Sequence, residues 1–363
     1  MKFIFKKRPG VFIFKRICRG FIKFRKSGNC VGPFSFLMNI PLPDLSDFSD
    51  DDETPEMSSL SPILSFDFRS NPTISFDTPT RNGIFYDSRN PIYETQTCMI
   101  YISKGSCSFY VLKVSDKHRL LKHEWEMYKS IGEAPTIIHA LNYWNENGLS
   151  FIQLEYAPGG SVNKLINFID LENAWRILAH ISLALQKIHS AGYIHLDVSP
   201  SNILEATGTF PRKSIYKLVD FGSVIPEGSF VSGNEGAGPY VSPEALRFPD
   251  AGPISFPSDV WSLGAVMYEV VTHKNVPRDS IGYNAIRNGS FDLSLIPDEF
   301  EVIKRMLRVN PLSRPTINEI LKIEQVQKLI SSDESLNAKP GYIKFIQKLD
   351  KSELRRRESF DAF

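Results

Sequence analysis

The stretch that decides the fold reads His195-Leu196-Asp197-Val198-Ser199-Pro200-Ser201-Asn202, and Asp220-Phe221-Gly222 follows it along the chain. Two carboxylates and a carboxamide at this spacing suit phosphoryl transfer. One carboxylate must orient an attacking hydroxyl and accept its proton, while a carboxylate and a carboxamide hold the Mg2+ ions that neutralise a triphosphate. We therefore predict that Asp197 is the catalytic residue and that Asn202 and Asp220 are the metal ligands.

The order of these residues is also that of the protein kinase motifs H-x-D-x-x-x-x-N and D-F-G, and a chance match to both in order is improbable. The chain from about residue 84 to residue 330 resembles the eukaryotic protein kinase domain. The resemblance implies an α+β, bilobal protein kinase fold with a small β-rich N-lobe and a larger helical C-lobe. It also implies ATP and Mg2+ as cofactors. A polar loop between two strands, with Asn202 as a cap, is the alternative interpretation.

The composition is that of an ordinary globular protein. The 363 residues are 42% hydrophobic and 23% charged, and 42 basic residues balance 41 acidic ones. Because the charges balance, we expect no nucleic-acid partner. We also expect a monomer. The four cysteines have neither C-x-x-C nor zinc-ligand spacing, which indicates a reducing compartment. No apolar run approaches the roughly 18 residues that a membrane-spanning helix requires.

Charge is segregated near the N-terminus. Residues 1–30 contain ten Lys or Arg and no acid, whereas residues 44–56 contain seven acids and no base. The basic arm at 1–30 could be a membrane-surface anchor, a nuclear-import or nucleic-acid patch, or a solvated tail. We expect weak membrane-surface or nuclear targeting, with the nucleus as the location and the cytoplasm or a membrane as alternatives. Residues 31–82 are rich in Ser, Pro, Asp and Thr without sustained periodicity, which predicts a disordered linker.

A strand and a helix are predicted to carry a cation and its partner. Lys113 ends the apolar strand 109–114, as the nucleotide-pairing lysine of kinases does. The apolar spacing of residues 117–131 predicts a helix with Glu124 on its buried edge, where a carboxylate needs a cation. Taken singly, Lys113 could be a strand-edge lysine and Glu124 a surface residue. Their order before the catalytic loop favours the pair, and Glu126 is the alternative partner on the helix.

The strand 151–156 runs into a glycine-rich turn. In a kinase this segment would be the hinge, where the backbone of Glu155 to Ala157 hydrogen-bonds adenine and Leu154 lines the pocket behind it. Such a site uses main-chain groups, so its side chains predict little about specificity.

Four further residues are predicted to hold the C-lobe together. The amphipathic helix 170–191 leads to the catalytic loop, and His189 near its end is predicted to be structural. The resemblance implies that Asp259 accepts backbone N–H groups of the catalytic loop and that Arg314 forms a bidentate pair with Glu244. This last pair is predicted to be architectural, so the loss of either member should destabilise the protein rather than abolish its activity.

These predictions divide the chain into five segments. They are a basic and aromatic arm (1–30), a Ser/Pro-rich acidic linker (31–82), the kinase N-lobe (83–157), the kinase C-lobe (158–330) and a charged C-terminal tail (331–363).

Several short sequences resemble those of the Wee/Myt group of mitosis-inhibitory kinases. They are His123-Glu124-Trp125-Glu126-Met127-Tyr128, Tyr143-Trp144-Asn145-Glu146, the segment from Leu154 to Ser161, and His195-Leu196-Asp197-Val198 with Pro200-Ser201-Asn202. The resemblance implies a kinase that phosphorylates a cyclin-dependent kinase, on tyrosine in preference to serine or threonine, and so restrains entry into mitosis.

Three positions depart from the usual kinase pattern. Leu196 replaces the arginine of H-R-D, so no cation there can receive an activation-loop phosphate, and regulation by loop phosphorylation is not expected. Residues 88–96, where the glycine-rich phosphate loop should lie, contain no glycine. Ser199 replaces a lysine that normally contacts the transferred phosphate, although tyrosine kinases manage without it. A pseudokinase scaffold and a Ser/Thr kinase of another group are therefore the alternative functions.

Overall fold

The computed structural model describes residues 76–105, 108–206, 214–231, 238–246 and 252–333, together with Leu336. The predicted arm at 1–30, most of the linker and most of the C-terminal tail lie outside the described residues. The described part holds no helix with the length and apolar character needed to cross a bilayer.

The first half of the described chain is an antiparallel sheet with one helix. Its elements are β1 (Thr78–Pro79), β2 (Phe85–Tyr86), β3 (Tyr93–Glu94), β4 (Met99–Lys104), β5 (Phe109–Ser115), α1 (His118–Ile131), β6 (Ala140–Glu146) and β7 (Leu149–Glu155). Within the described residues the strand order is β1-β2-β4-β5-β7-β6, and β3 pairs with β4. Strand β1 lies inside the predicted linker, so the ordered N-lobe begins before residue 83.

The alternation of side chains along β5 fixes the direction of its lysine. Val111 belongs to the main core together with Leu121 of α1. Leu112 and Val114 belong to a separate apolar cluster of the N-lobe. Because successive side chains of a strand point to opposite faces, Lys113 shares the face of Val111 and points towards α1.

The second half is mainly helical. Its elements are β8 (Gly160–Ser161), α2 (Val162–Leu165), α3 (Leu171–Ser190), β9 (Tyr193–Ile194), β10 (Ile203–Glu205), β11 (Tyr216–Leu218), β12 (Ile225–Pro226), α4 (Pro243–Leu246), α5 (Pro257–Thr272), α6 (Ser280–Asn288), α7 (Glu301–Met306), α8 (Ile317–Ile320) and α9 (Glu324–Ser332). Helix α3 packs against α5 and α9, and most side chains of α3 and α5 are buried. The predicted α+β fold, with a β-rich N-lobe and a helical C-lobe, is confirmed.

The end of α9 is fixed to the centre of the C-lobe. Asp333 follows the helix and is buried, and its Oδ2 lies 2.9 Å from Nη1 of Arg176 and 3.3 Å from Nε2 of His180. Both partners lie on α3. The ordered C-lobe therefore continues past residue 330, where the sequence pattern placed its end.

Candidate active site

The catalytic loop begins where β9 ends, and Asp259 of α5 holds it. The carboxylate of Asp259 accepts from the backbone N–H of His195 at 2.8 Å and from that of Leu196 at 2.9 Å. Its Oδ2 also lies 2.9 Å from Nε2 of His189, so His189 supports the loop from the end of α3. Burial alone would raise the pKa of Asp259, but these hydrogen bonds and the neighbouring histidines hold it below the ordinary value. Asp259 therefore stays ionised in the interior.

Leu196 carries backbone strain within this loop. Its φ is 62°, a left-handed conformation that costs a residue other than glycine roughly 1–2 kcal/mol. The bond from its N–H to Asp259 offsets part of this cost. Its side chain is buried among Val231, Val241 and Ile254, in a cluster separate from the main core. An apolar contact thus occupies the position where H-R-D kinases have a cation.

Asn202 fixes the predicted catalytic residue. Its Nδ2 donates to the backbone oxygen of Asp197 at 2.8 Å and to Oδ2 of Asp197 at 3.0 Å. Asn202 is buried, whereas the side chain of Asp197 is half-buried. The structure therefore brings these two residues together and leaves the carboxylate of Asp197 within reach of solvent.

Lys113 lies between two carboxylates. Its Nζ is 2.8 Å from Oε2 of Glu124 and 3.0 Å from Oδ1 of Asp220. Glu126, the alternative partner on α1, lies instead at the exposed surface, 3.7 Å from Lys122. Three of the predicted residues thus meet in one cluster, and Asp220 joins it from 107 positions after Lys113.

One cation shared by two carboxylates sets the protonation of this cluster. Burial alone would lower the pKa of Lys113, but the charges of Asp220 and Glu124 raise it well above the ordinary value. Burial would raise the pKa of Asp220, and Lys113 holds that pKa below its ordinary value. Only 2% of the Glu124 side chain is exposed, against 35% for Asp220, and burial raises the pKa of Glu124 to about 7 in spite of Lys113. Asp220 is therefore the carboxylate that stays ionised.

The direction of Asp220 depends on the next residue. Phe221 is fully buried, stacks on Tyr128 of α1 with ring centroids 4.2 Å apart, and meets His195 edge-on at 5.3 Å. Asp220 has a φ of 67°, and its carboxylate accepts from the N–H of Gly222 at 3.2 Å. With the ring packed under α1, the carboxylate is turned towards Lys113.

Residues 95–325 match the family model described as the protein kinase domain. The chain belongs to the protein kinase family. The matched range includes the catalytic loop, the Lys113 cluster and α1, so the family predicted from the motifs is confirmed.

Relatives of this kinase include inhibitors of mitosis. The chain is 28% identical over 267 residues to the mitosis inhibitor protein kinase mik1 of Schizosaccharomyces pombe, covering 68% of this chain and 43% of that protein. It is 28% identical over 241 residues to the membrane-associated tyrosine- and threonine-specific cdc2-inhibitory kinase wee-1.3 of Caenorhabditis briggsae, covering 61% and 35%. It is also 28% identical over 260 residues to the carbon catabolite-derepressing protein kinase of Candida glabrata, covering 66% and 41%. The chain spans less than half the length of each of these relatives, and the predicted similarity to the mitosis-inhibitory group is confirmed.

The hinge of this kinase has a side-chain anchor that sequence reasoning missed. Both carboxylate oxygens of Glu155 accept from Nζ of Lys217, at 2.7 and 2.8 Å. Lys217 lies on β11, three positions before Asp220, and is buried. The sequence signal that could have indicated this contact is Lys217 itself, a lysine between the apolar residues of β11. Leu154 and Ala157 are buried beside Glu155, so the predicted hinge residues lie together.

The donor set fits Mg2+ held together with phosphate. Asp220 offers an ionised carboxylate, and Asn202 offers its carboxamide oxygen because its nitrogen is bonded to Asp197. Mg2+ in such sites takes one or two protein oxygens and completes its shell with phosphate and water. In the described part of the chain, no three His, Cys, Asp or Glu side chains gather as a metal cluster. Protein kinase domains in general use ATP and Mg2+.

Arg287 of α6 holds the segment that leads to α4, a second contact that sequence reasoning missed. Its Nη2 donates to the backbone oxygens of Pro239 at 2.7 Å and Val241 at 2.8 Å. Between them, the hydroxyl of Tyr240 donates to Oε2 of Glu269 at 2.7 Å. These bonds hold residues 239–241 against α5 and α6.

The unusual pKa of Glu124 predicts a pH dependence of stability in the metal- and nucleotide-free protein. Between pH 4.5 and 7 the folded state keeps a proton on Glu124 that the unfolded chain has released. Stability from this group is therefore present at low pH and is lost as the pH rises towards 8. We expect the stability of the wild type relative to Glu124→Gln to fall by about 3 kcal/mol from pH 5 to pH 8.

Urea unfolding at several pH values measures this difference. Glu126→Gln, on the same helix at the surface, is the matched control and should give a flat difference from the wild type. A flat profile for Glu124→Gln would show that Glu124 titrates normally.

Proposed function

We propose that this kinase transfers the γ-phosphate of ATP to a tyrosine hydroxyl of a cyclin-dependent kinase and so restrains entry into mitosis. The observation that carries the transfer reaction is the assembled cluster, in which Lys113 bridges Glu124 and Asp220 at 2.8 and 3.0 Å. The similarity to two kinases whose names state mitosis inhibition or cdc2 inhibition supports the substrate.

Each polar side chain of the site has a role in this proposal. Asp197 orients the substrate hydroxyl and accepts its proton, and Asn202 holds Asp197 in position. Lys113 binds the nucleotide phosphates and is itself positioned by Glu124. Asn202 and Asp220 carry Mg2+, which supplies charge neutralisation when bound. Leu154 and the backbone from Glu155 to Ala157 receive the adenine.

Ser199 favours tyrosine as the acceptor. The side chain is short and buried, with 3% exposed, so it cannot take over the phosphate contact of a lysine. Tyrosine kinases function without a lysine at this position, whereas other kinases use its charge to stabilise the transferred phosphate. The absence of a lysine at position 199 thus supports the proposed preference for tyrosine.

Phosphorylation of an intact cyclin-dependent kinase with its cyclin tests the proposal. Purified full-length protein, ATP and Mg2+ should give phosphotyrosine on the cyclin-dependent kinase, located by mass spectrometry. The Asp197→Asn variant should reduce the transfer by about 10²- to 10⁴-fold, because the general base is lost while the shape is kept. Phosphoserine or phosphothreonine alone would indicate a Ser/Thr kinase of another group.

A pseudokinase scaffold is the second candidate, and it is favoured by the turn that replaces the glycine-rich loop. The hydroxyl of Thr95 in that turn already bonds two backbone N–H groups. Adenine nucleotide binding with and without Mg2+ separates the candidates. Binding that needs no Mg2+, with no transfer to any substrate, would support the scaffold.

The basic arm gives a separate proposal about location. We propose that residues 1–30 direct the protein to the nucleus or to an anionic membrane surface, because they combine ten basic residues with no acid. Deletion of residues 1–30 from a fluorescently tagged chain should change its distribution in cells. An unchanged distribution would show that residues 1–30 do not direct localisation.

A further inference from the structure

The turn between β3 and β4 closes on itself. In protein kinases this hairpin covers the nucleotide with a glycine-rich loop, and such loops offer backbone N–H groups to phosphate. Here the turn consists of Thr95, Gln96, Thr97 and Cys98, and the flanking register pairs Glu94 with Met99. The connection is thus a tight four-residue hairpin loop rather than an extended loop.

The side chain of Thr95 occupies the N–H groups of this turn. Its Oγ1 accepts from the N–H of Thr97 at 3.1 Å and from that of Cys98 at 2.9 Å. The N–H of Thr95 itself donates to the backbone oxygen of Cys98 at 2.8 Å. Three of the four backbone N–H donors of the turn, those of Thr95, Thr97 and Cys98, are therefore satisfied within the turn.

The turn is also tied to the strand that carries Lys113. The hydroxyl of Ser115, at the end of β5, donates to the backbone oxygen of Thr97, and Ser115 is buried. Across β4 and β5, Met99 pairs with Val114 and Ile100 pairs with Lys113. The turn that ends at Cys98 therefore lies beside Lys113 and borders the place where phosphates would bind.

We propose that Thr95 is a positioning residue that keeps the phosphate-covering turn closed, so that phosphates are bound from the Lys113 and Asp220 side alone. This inference rests on the proposed binding of ATP. Phosphate affinity then depends on Lys113 and on metal at Asp220 and Asn202, whereas adenosine affinity depends on the hinge. Removal of the Thr95 hydroxyl frees two N–H groups for phosphate without changing the hinge.

Thr95→Val tests the proposal, because valine keeps the branched shape and removes only the hydroxyl. Thr95→Ser keeps the hydroxyl and is the matched control. In the full-length protein, calorimetric titration should show that Thr95→Val binds ATP with Mg2+ about tenfold more tightly, since freed N–H groups form charge-assisted bonds. Adenosine affinity should be unchanged within twofold in all three proteins. An unchanged ratio of ATP to adenosine affinity in Thr95→Val would overturn the proposal.

The response of amide hydrogen exchange at Thr97 and Cys98 to nucleotide gives a second readout that a merely structural role would not move. We expect slow exchange in the nucleotide-free wild type and in Thr95→Ser, with no change on addition of ATP and Mg2+. In Thr95→Val, exchange should be fast without nucleotide and slow with it. New protection of these amides in the wild type on adding ATP and Mg2+ would also overturn the proposal.

Failure of the proposed function is distinguishable from failure of this inference. If the wild type binds neither adenosine nor ATP, the proposed function as an ATP-dependent kinase is refuted. The comparison of amide exchange between the wild type and Thr95→Val without nucleotide still tests whether Thr95 keeps the turn closed. Fast exchange at both amides in the wild type, equal to that in Thr95→Val, would then refute it.

Discussion

Replacing Lys113 by methionine is expected to lower phosphate transfer by about 10²- to 10³-fold and the free energy of unfolding by about 3 kcal/mol. Lys113 is the cation that separates the carboxylates of Glu124 and Asp220, at 2.8 and 3.0 Å. Without it, no cation compensates the desolvation of the Glu124 carboxylate, so folding at neutral pH requires Glu124 to take up a proton. The rate falls for a different reason, because the phosphates lose the charged group that binds them.

One further substitution separates the effect of Lys113→Met on the free energy of unfolding from its effect on the transfer rate. In Lys113→Met with Glu124→Gln, no buried charge is left on α1, so we expect most of the lost stability to return. The rate should stay low, because no cation faces the phosphates. Lys122→Met is the surface control, since its partner Glu126 is exposed and 3.7 Å away, and it should change neither quantity measurably.

Unfolding is measured in urea and transfer with the intact cyclin-dependent kinase. A Lys113→Met protein with wild-type transfer would show that the cluster is architectural and that Lys113 does not bind the phosphates. A double variant that regains both stability and rate would show that Lys113 acts on the fold alone.

Local periodicity explains why the central cluster was predictable from the sequence. The period of two along β5 places Lys113 on the face of Val111, and the helical period of α1 places Glu124 on its buried edge. The H-x-D and D-F-G motifs supply the remaining residues at fixed spacing. Periodicity also distinguishes Glu124 from Glu126, because the two carboxylates lie on different faces of the helix.

Contacts between distant segments could not be predicted in this way. Lys217 and Glu155 are far apart in sequence, and so are Arg287 and the backbone oxygens of Pro239 and Val241. Neither contact follows a period or a motif, because each depends on how separate elements pack. The closed turn at Thr95 is local in sequence. The lack of glycine in residues 88–96 indicated only that the glycine-rich phosphate loop was missing, and it did not indicate the structure that replaces this loop.

Replacing Arg314 by alanine is expected to lower the free energy of unfolding by about 3–5 kcal/mol while leaving the transfer rate per folded molecule within a few-fold of the wild type. The guanidinium forms a bidentate pair with Glu244, with Nη1 2.6 Å from Oε1 and Nη2 2.8 Å from Oε2. It also donates to three backbone oxygens, those of Arg308, Pro257 and Val309, at 2.8, 2.8 and 3.1 Å. Alanine leaves all of these acceptors without their donor in a largely buried place.

The same pair predicts how acid acts on the protein. Burial alone would raise the pKa of Glu244, but Arg314 holds it below the ordinary value. A lowered pKa contributes stability that is present above pH 4.5 and is lost as the pH falls through the folded-state pKa. Glu244→Gln should therefore be less stable than the wild type at pH 7, and the difference should shrink on acidification below pH 4.5.

Arg308→Ala is the matched control, because Arg308 is an exposed neighbour whose guanidinium donates to Ser313 O at 3.3 Å. It should change the free energy of unfolding by no more than about 1 kcal/mol. Transfer is measured at a temperature where each variant is folded, as judged by circular dichroism. If Arg314→Ala were folded and stable but inactive, the pair would act on catalysis through the activation segment. Loss of stability with retained transfer would place Arg314 and Glu244 in the architecture of the C-lobe, apart from the chemistry at Asp197.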